Sequence, residues 1–90
     1  MALAAITQQP RDVRDYDIDF GEWFPLGDTV VTATVSVEPA GLTVTYALQH
    51  PRVKVWLQDG AIGSYKVTVV AYTNDGRAKE VELKVRIKDT

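Results

Sequence analysis

The chain has no cysteine. That excludes a disulfide framework, thiol catalysis and thiolate metal ligation, and leaves the apolar core to hold the fold unaided. It has one histidine, His50, which precedes Pro51 in a turn and is expected to be solvated. No serine or threonine can be given a base from the sequence, so nucleophilic catalysis is excluded as an expectation. Ten basic residues stand against twelve acidic ones, and the basic residues form no concentrated stripe, which argues against a nucleic-acid partner. No apolar run approaches the roughly 20 residues that span a bilayer, so no membrane partner is expected. The opening Met1-Ala-Leu-Ala-Ala-Ile6 is apolar, but it lacks a basic leader and is too short for a secretory core. The protein is therefore expected to stay in the cytoplasm where it is made. No glycine cluster precedes a helix start, so no phosphate cradle is expected either.

What is present is alternation. Apolar residues make up 46% of the 90 residues, enough for one folded domain. They recur with a period of two, and no segment carries a helical stripe. The inward sets are Val31, Ala33, Val35 and Val37, with Val30 facing outward; Leu42, Val44, Tyr46 and Leu48; Val53, Val55 and Leu57; Tyr65, Val67, Val69 and Ala71; and Val81, Leu83, Val85 and Ile87. Turn chemistry separates these sets, at Glu38-Pro39-Ala40-Gly41, at Gln58 through Gly63, and at Asn74-Asp75-Gly76.

Short strands at this spacing indicate a sandwich or a small barrel. Gly63-Ser64-Tyr65-Lys66-Val67 resembles the tyrosine corner that opens the penultimate strand of immunoglobulin-like domains. The fold class expected is therefore all-β, a small immunoglobulin-like β-sandwich over residues 15–90 preceded by an extended N-terminal arm, residues 1–14. Its first ten residues have no strand pattern and are expected to order mainly against another chain. The last two strands should form a hairpin whose opposed residue numbers sum to 150, with Thr73 and Arg77 closing a three-residue loop and Gly76 in the left-handed position.

Asp15, Asp17 and Asp19 share one strand face. Oxygen ligands suit calcium, but a straight strand spaces them apart, and the expectation is a solvated or partner-facing edge that also discourages aggregation. No metal and no cofactor is expected. The residues most suited to a partner are aromatic and aliphatic. Tyr16, Ile18 and Phe20 alternate with those carboxylates, and Trp23 and Phe24 follow as an anchoring plug. Trp56, Val70 and Tyr72 fall out of phase with the inward sets and are expected to form an outer patch bordered by charge, which either meets a partner or is covered by the N-terminal arm of the same chain.

The segments Pro10 through Phe20 with Glu22-Trp23, Gly27-Asp28-Thr29-Val30, Pro39 through Val44, Val55-Trp56-Leu57, Gly63 through Thr68 and Gly76-Arg77 resemble a family of short virion structural proteins of tailed bacteriophages, some described as fiber-tail adaptors. Asp-Tyr-x-Ile-Asp-x-x-x-Trp is the most specific stretch. Arg52, Lys54 and the charged run from Lys79 to Lys88 stand where such proteins carry more threonine and serine, so the outer faces differ. The resemblance implies a non-catalytic, multi-copy virion protein made in the host cytoplasm. It would join tail, neck or baseplate to fiber components and contact other virion proteins. The alternative is an immunoglobulin-like capsid-decoration or adhesion module that binds a host surface or a glycan; an accessory domain of an enzyme is a third possibility.

Overall fold

The computed structural model describes residues 2–21 and 23–89. Seven strands follow one another: β1 (Ala2–Gln8), β2 (Arg14–Asp19), β3 (Val30–Glu38), β4 (Thr43–Gln49), β5 (Arg52–Gln58), β6 (Gly63–Thr73) and β7 (Ala78–Ile87). They build two sheets, a four-stranded one in the order β1-β7-β6-β3 and a three-stranded one in the order β2-β5-β4. All neighbours are antiparallel except β1, which runs parallel to β7. This is an immunoglobulin-like sandwich.

The period-two pattern places the core where alternation requires. Val53, Val55 and Leu57 of β5, Tyr65, Val67, Val69 and Ala71 of β6, and Val81, Leu83, Val85 and Ile87 of β7 are all buried. The β6–β7 register has the expected sum of 150: Val69 lies opposite Val81, Val67 opposite Leu83 and Tyr65 opposite Val85. The hairpin closes as the sequence predicts. The Thr73 amide donates to the Arg77 carbonyl at 2.9 Å, and the Gly76 amide donates back to the Thr73 carbonyl at 3.1 Å. Gly76 has φ 89°, a conformation that costs glycine least.

Three expectations are corrected. Residues 2–8 are a strand, not a free arm: Ala4 through Gln8 pair with Leu83 through Ile87. A parallel ladder needs only backbone groups, so an uncharged segment can join it without showing alternation. Ile6 packs on the core, and buried Gln8 donates its side-chain amide to the Leu57 carbonyl of the other sheet at 3.3 Å. The second correction is at the start of β3, where a register irregularity falls between Val30 and Thr32. The extra residue reverses the phase, so Val30 is 5% exposed and Val31 51% exposed, the opposite of the expected facing. The third is β4. Leu42 is buried just before it, yet Tyr46 and Leu48 are 44% and 39% exposed. Both β3 and β4 are edge strands on the same side of the sandwich, so their inward side chains lack a neighbour beyond them.

The tyrosine corner is present. The Tyr65 hydroxyl donates to the Ala61 carbonyl at 2.6 Å and approaches the Gly41 carbonyl at 3.4 Å. Gly41 is required there twice over. Its φ is 131°, and a Cβ would sit 2.8 Å from the Tyr65 hydroxyl oxygen. Replacing Tyr65→Phe leaves the packing ring and removes only this tie. It should lower stability by about 1 kcal/mol, read as roughly 4–8 °C in a thermal melt. An unchanged melting temperature would show that the corner is not held by its hydroxyl.

Candidate partner surfaces

Loops 20–29, 50–51 and 73–77 meet at one end of the sandwich. Phe20 is fully buried and its amide donates to the Pro51 carbonyl at 2.8 Å. The Trp23 ring packs edge-on against Phe20, with centroids 5.5 Å apart, and Phe24 stacks on Phe20 at 6.3 Å. Lys79 Nζ lies 5.2 Å from the centre of the Trp23 ring, within cation–π range. Trp23 and Phe24 are half-buried and rest on the core, so both anchor the segment that follows β2. The chain then turns outward, and Leu26 is fully exposed at the tip. Between Phe24, Pro25, Leu26, His50 and Pro51 lies a hollow of about 180 Å³.

Asp28 braces this end. Its side chain is buried, and Arg77 Nη1 donates to Oδ2 at 3.0 Å. The amides of Thr29 and Asp75 approach Oδ1 at 3.2 and 3.3 Å. Burial works against ionisation. The Thr73 hydroxyl, the Arg77 guanidinium, the Asp75 amide and the Arg77 charge outweigh it, and hold the carboxyl below its ordinary 3.8. The Asn74 amide donates to the Thr29 carbonyl, and its side-chain oxygen accepts from the Thr29 amide, both at 3.0 Å. His50 is tied in as well. Its Nδ1 accepts the Val30 amide at 3.0 Å, so this histidine positions the start of β3 and is not merely a solvated turn residue.

The residues singled out from the sequence are dispersed. Ile18 and Phe20 are buried and offer a partner nothing, because the inward face of β2 is core. Tyr16 is half-buried and donates its hydroxyl to Gln8 Oε1 at 3.1 Å. Trp56 is exposed on the outer face of the three-stranded sheet, between Asp15 and Thr45. Val70 and Tyr72 lie on the outer face of the four-stranded sheet, beside Glu80 and Ala78. The two sheets face opposite ways, so Trp56 does not share a patch with Tyr72. Asp15, Asp17 and Asp19 do line edge strand β2, but they are spread along it. Asp15 pairs with Lys54 at 3.4 Å, and Asp19 Oδ1 accepts the Gly21 amide at 2.8 Å.

The sequence reading missed Leu26, Tyr46 and Leu48. Leu26 carried a signal, an apolar residue between Pro25 and Gly27 in a segment with no strand pattern. Tyr46 and Leu48 carried none, since alternation cannot tell an edge strand from a central one. It missed too an open groove of about 500 Å³ along the four-stranded sheet, lined by Ile6, Glu38, Tyr65, Lys66, Lys84 and Arg86 among others.

Two tests belong to this end of the molecule. Trp23→Ala removes a half-buried ring and should cost about 2 kcal/mol, below the 3–5 typical of fully buried rings; a mutant that melts like the parent would mean the plug contributes nothing. Because the folded pKa of Asp28 is lowered, its stabilisation is present above the ordinary carboxylate value and is lost as pH falls through the folded one. Asp28→Asn should therefore melt lower than the parent at neutral pH, and the gap should close in acid. A gap of equal size at both would refute the electrostatic account.

The fold has distant likenesses among solved structures. The cysteine protease inhibitor EhICP2 from Entamoeba histolytica is similar with a TM-score of 0.61 at 9% identity, over 97% of this chain and 87% of that one. The titin M3 domain is similar at 0.63 and 11%, over 98% and 92%, and amebosin at 0.59 and 15%, over 97% and 96%. At such identities the likeness speaks for the sandwich alone. No curated protein sequence matches the chain. Residues 8–86 match the family described as podophage GP4 fiber-tail adaptor protein gp77.

Proposed function

Because the chain belongs to the podophage GP4 fiber-tail adaptor family, we propose that it is a non-catalytic joining module, present in many copies per virion, that connects tail, neck or baseplate to fiber components. The family is one of phage structural adaptors, and the match over residues 8–86 carries this reading. It spans both sheets and the braced end.

The chemistry of the chain supports a role in contact rather than in reaction. Its single histidine is engaged with a backbone amide. What the surface offers instead is apolar side chains held on rigid supports. Trp23 and Phe24 fix the loop, Asp28 and Arg77 brace it, and Leu26 projects from it. A side chain displayed by a preordered loop costs little entropy to bury, which favours a small, specific contact. We assign the fiber-side or tail-side contact to this end. Trp56 on one outer face, and Val70 and Tyr72 on the other, would serve flanking neighbours. The molecule measures 44 × 20 × 18 Å, a spacer with its loops at the two extremities.

The test is genetic and structural together. Particles made without this protein should have tails but lack fibers, and purified complete particles should contain it in several copies. Fully fibered particles in its absence would overturn the adaptor reading. Leu26→Asp should change the stability of the isolated protein by less than about 0.5 kcal/mol, yet reduce its incorporation into particles. Normal incorporation would move the contact away from this loop.

A further inference from the structure

The outward row of β7 reads Glu80, Glu82, Lys84, Arg86, two negative charges followed by two positive ones. Among the described residues none of the four forms an ion pair. Their cross-strand partners on β6 are Val70, Thr68, Lys66 and Ser64, none of them a carboxylate. Lys84 lies directly opposite Lys66, a like-charge pairing that disfavours an isolated sheet; Glu38 of β3 faces Lys66 from its other side, away from Lys84.

A row of this kind is its own complement when reversed. We infer that the outer face of the four-stranded sheet docks against the same face of a second copy, with the two β7 strands antiparallel across a two-fold axis that crosses them at Leu83. Under that operation Glu82 of one copy faces Lys84 of the other, and Glu80 faces Arg86. Each contact occurs twice, as an isologous interface requires. The Glu82 carboxylate of the second copy also arrives beside Lys66 and offsets its repulsion from Lys84. A two-fold axis along the strands would instead put Glu82 on Glu82 and Lys84 on Lys84, so the charges select one rotation of the two. The spacing is compatible. Alternate residues on a strand are about 7 Å apart, so the row spans about 20 Å, and glutamate, lysine and arginine are long enough to meet across packed sheets about 10 Å apart. The inference concerns contact between copies and does not depend on the adaptor reading.

Sedimentation equilibrium of the full chain tests it. The parent should form a dimer at low salt that dissociates as salt is raised. Lys84→Glu with Arg86→Glu makes the row all negative, and Glu80→Lys with Glu82→Lys makes it all positive. Each double variant alone should weaken self-association at least about tenfold, and the two mixed should form a heterodimer. The four substitutions combined restore a self-complementary row, which should dimerise with itself but not with the parent. A parent that stays monomeric at all concentrations up to about 1 mM overturns the inference. So does a dimer indifferent to both reversals, or a mixture of the two variants that does not associate. All four side chains project outward, so at high salt, where parent and variants are all monomeric, every variant should still unfold in one cooperative transition close to that of the parent. If a reversal melts early, Glu82→Gln and Lys84→Gln make the same comparison, and each should loosen the dimer and reduce its salt sensitivity; no change from either overturns the inference.

Discussion

The pairing of β6 with β7 is the constraint on which the rest of the sandwich depends. Its constant register from Gly63–Ile87 to Tyr72–Ala78 puts the inward residues of both strands on one face without a slip. A shift of one residue would send that whole set to the solvent. The other two strands of the sheet are added to this pair, β3 along β6 and β1 along β7. The hairpin tip then reaches beyond its own sheet, since Arg77 closes the turn with its backbone and braces Asp28 with its side chain. One local turn thereby positions both the core and the displayed loop.

With no covalent tie between the sheets, polar side chains hold the margins of an apolar interior. Gln8 links the four-stranded sheet to Leu57 on one flank. Tyr65 reaches Ala61 at one end, and Asp28 gathers Arg77, Thr29 and Asp75 at the other. Among the described residues no buried side-chain nitrogen or oxygen lacks a partner. A carboxylate as enclosed as Asp28 is tolerable only because its oxygens are so fully occupied.

How much of this the sequence disclosed varies strand by strand. β5, β6 and β7 were legible to the residue, because each is covered on one face along its whole length and strict alternation follows. The hairpin register was legible because parity and the left-handed glycine admit one loop. β1 was not, since a parallel edge strand is recruited by backbone groups and Ala-Leu-Ala-Ala-Ile carries no polar phase. Nor was the reversal at Val30 and Val31, where one extra residue changes the facing with no mark in composition. At the candidate surface Trp23 and Phe24 were legible as anchors, while Trp56 and Tyr72 were joined into one patch because phase says which way a residue points relative to its own strand, and not which sheet that strand occupies. Ile18 and Phe20 look available to a partner for a similar reason, since alternation shows that one face of β2 is apolar but not what covers it.

The parallel run of β1 on β7 also decides how the molecule bears tension. β1 begins level with Glu82 and ends beside Ile87, where β7 leaves the sheet. A pull on the first residue of β1 and the last of β7 drives the two strands past each other along their common axis. The rungs from Ala4–Leu83 to Gln8–Ile87 are then strained together, in shear, and none can open ahead of its neighbours. A hairpin tugged at its open end would instead unzip one rung at a time. Pulled end to end, this domain resists as a lap joint does, and the strand without a pattern is half of the seam.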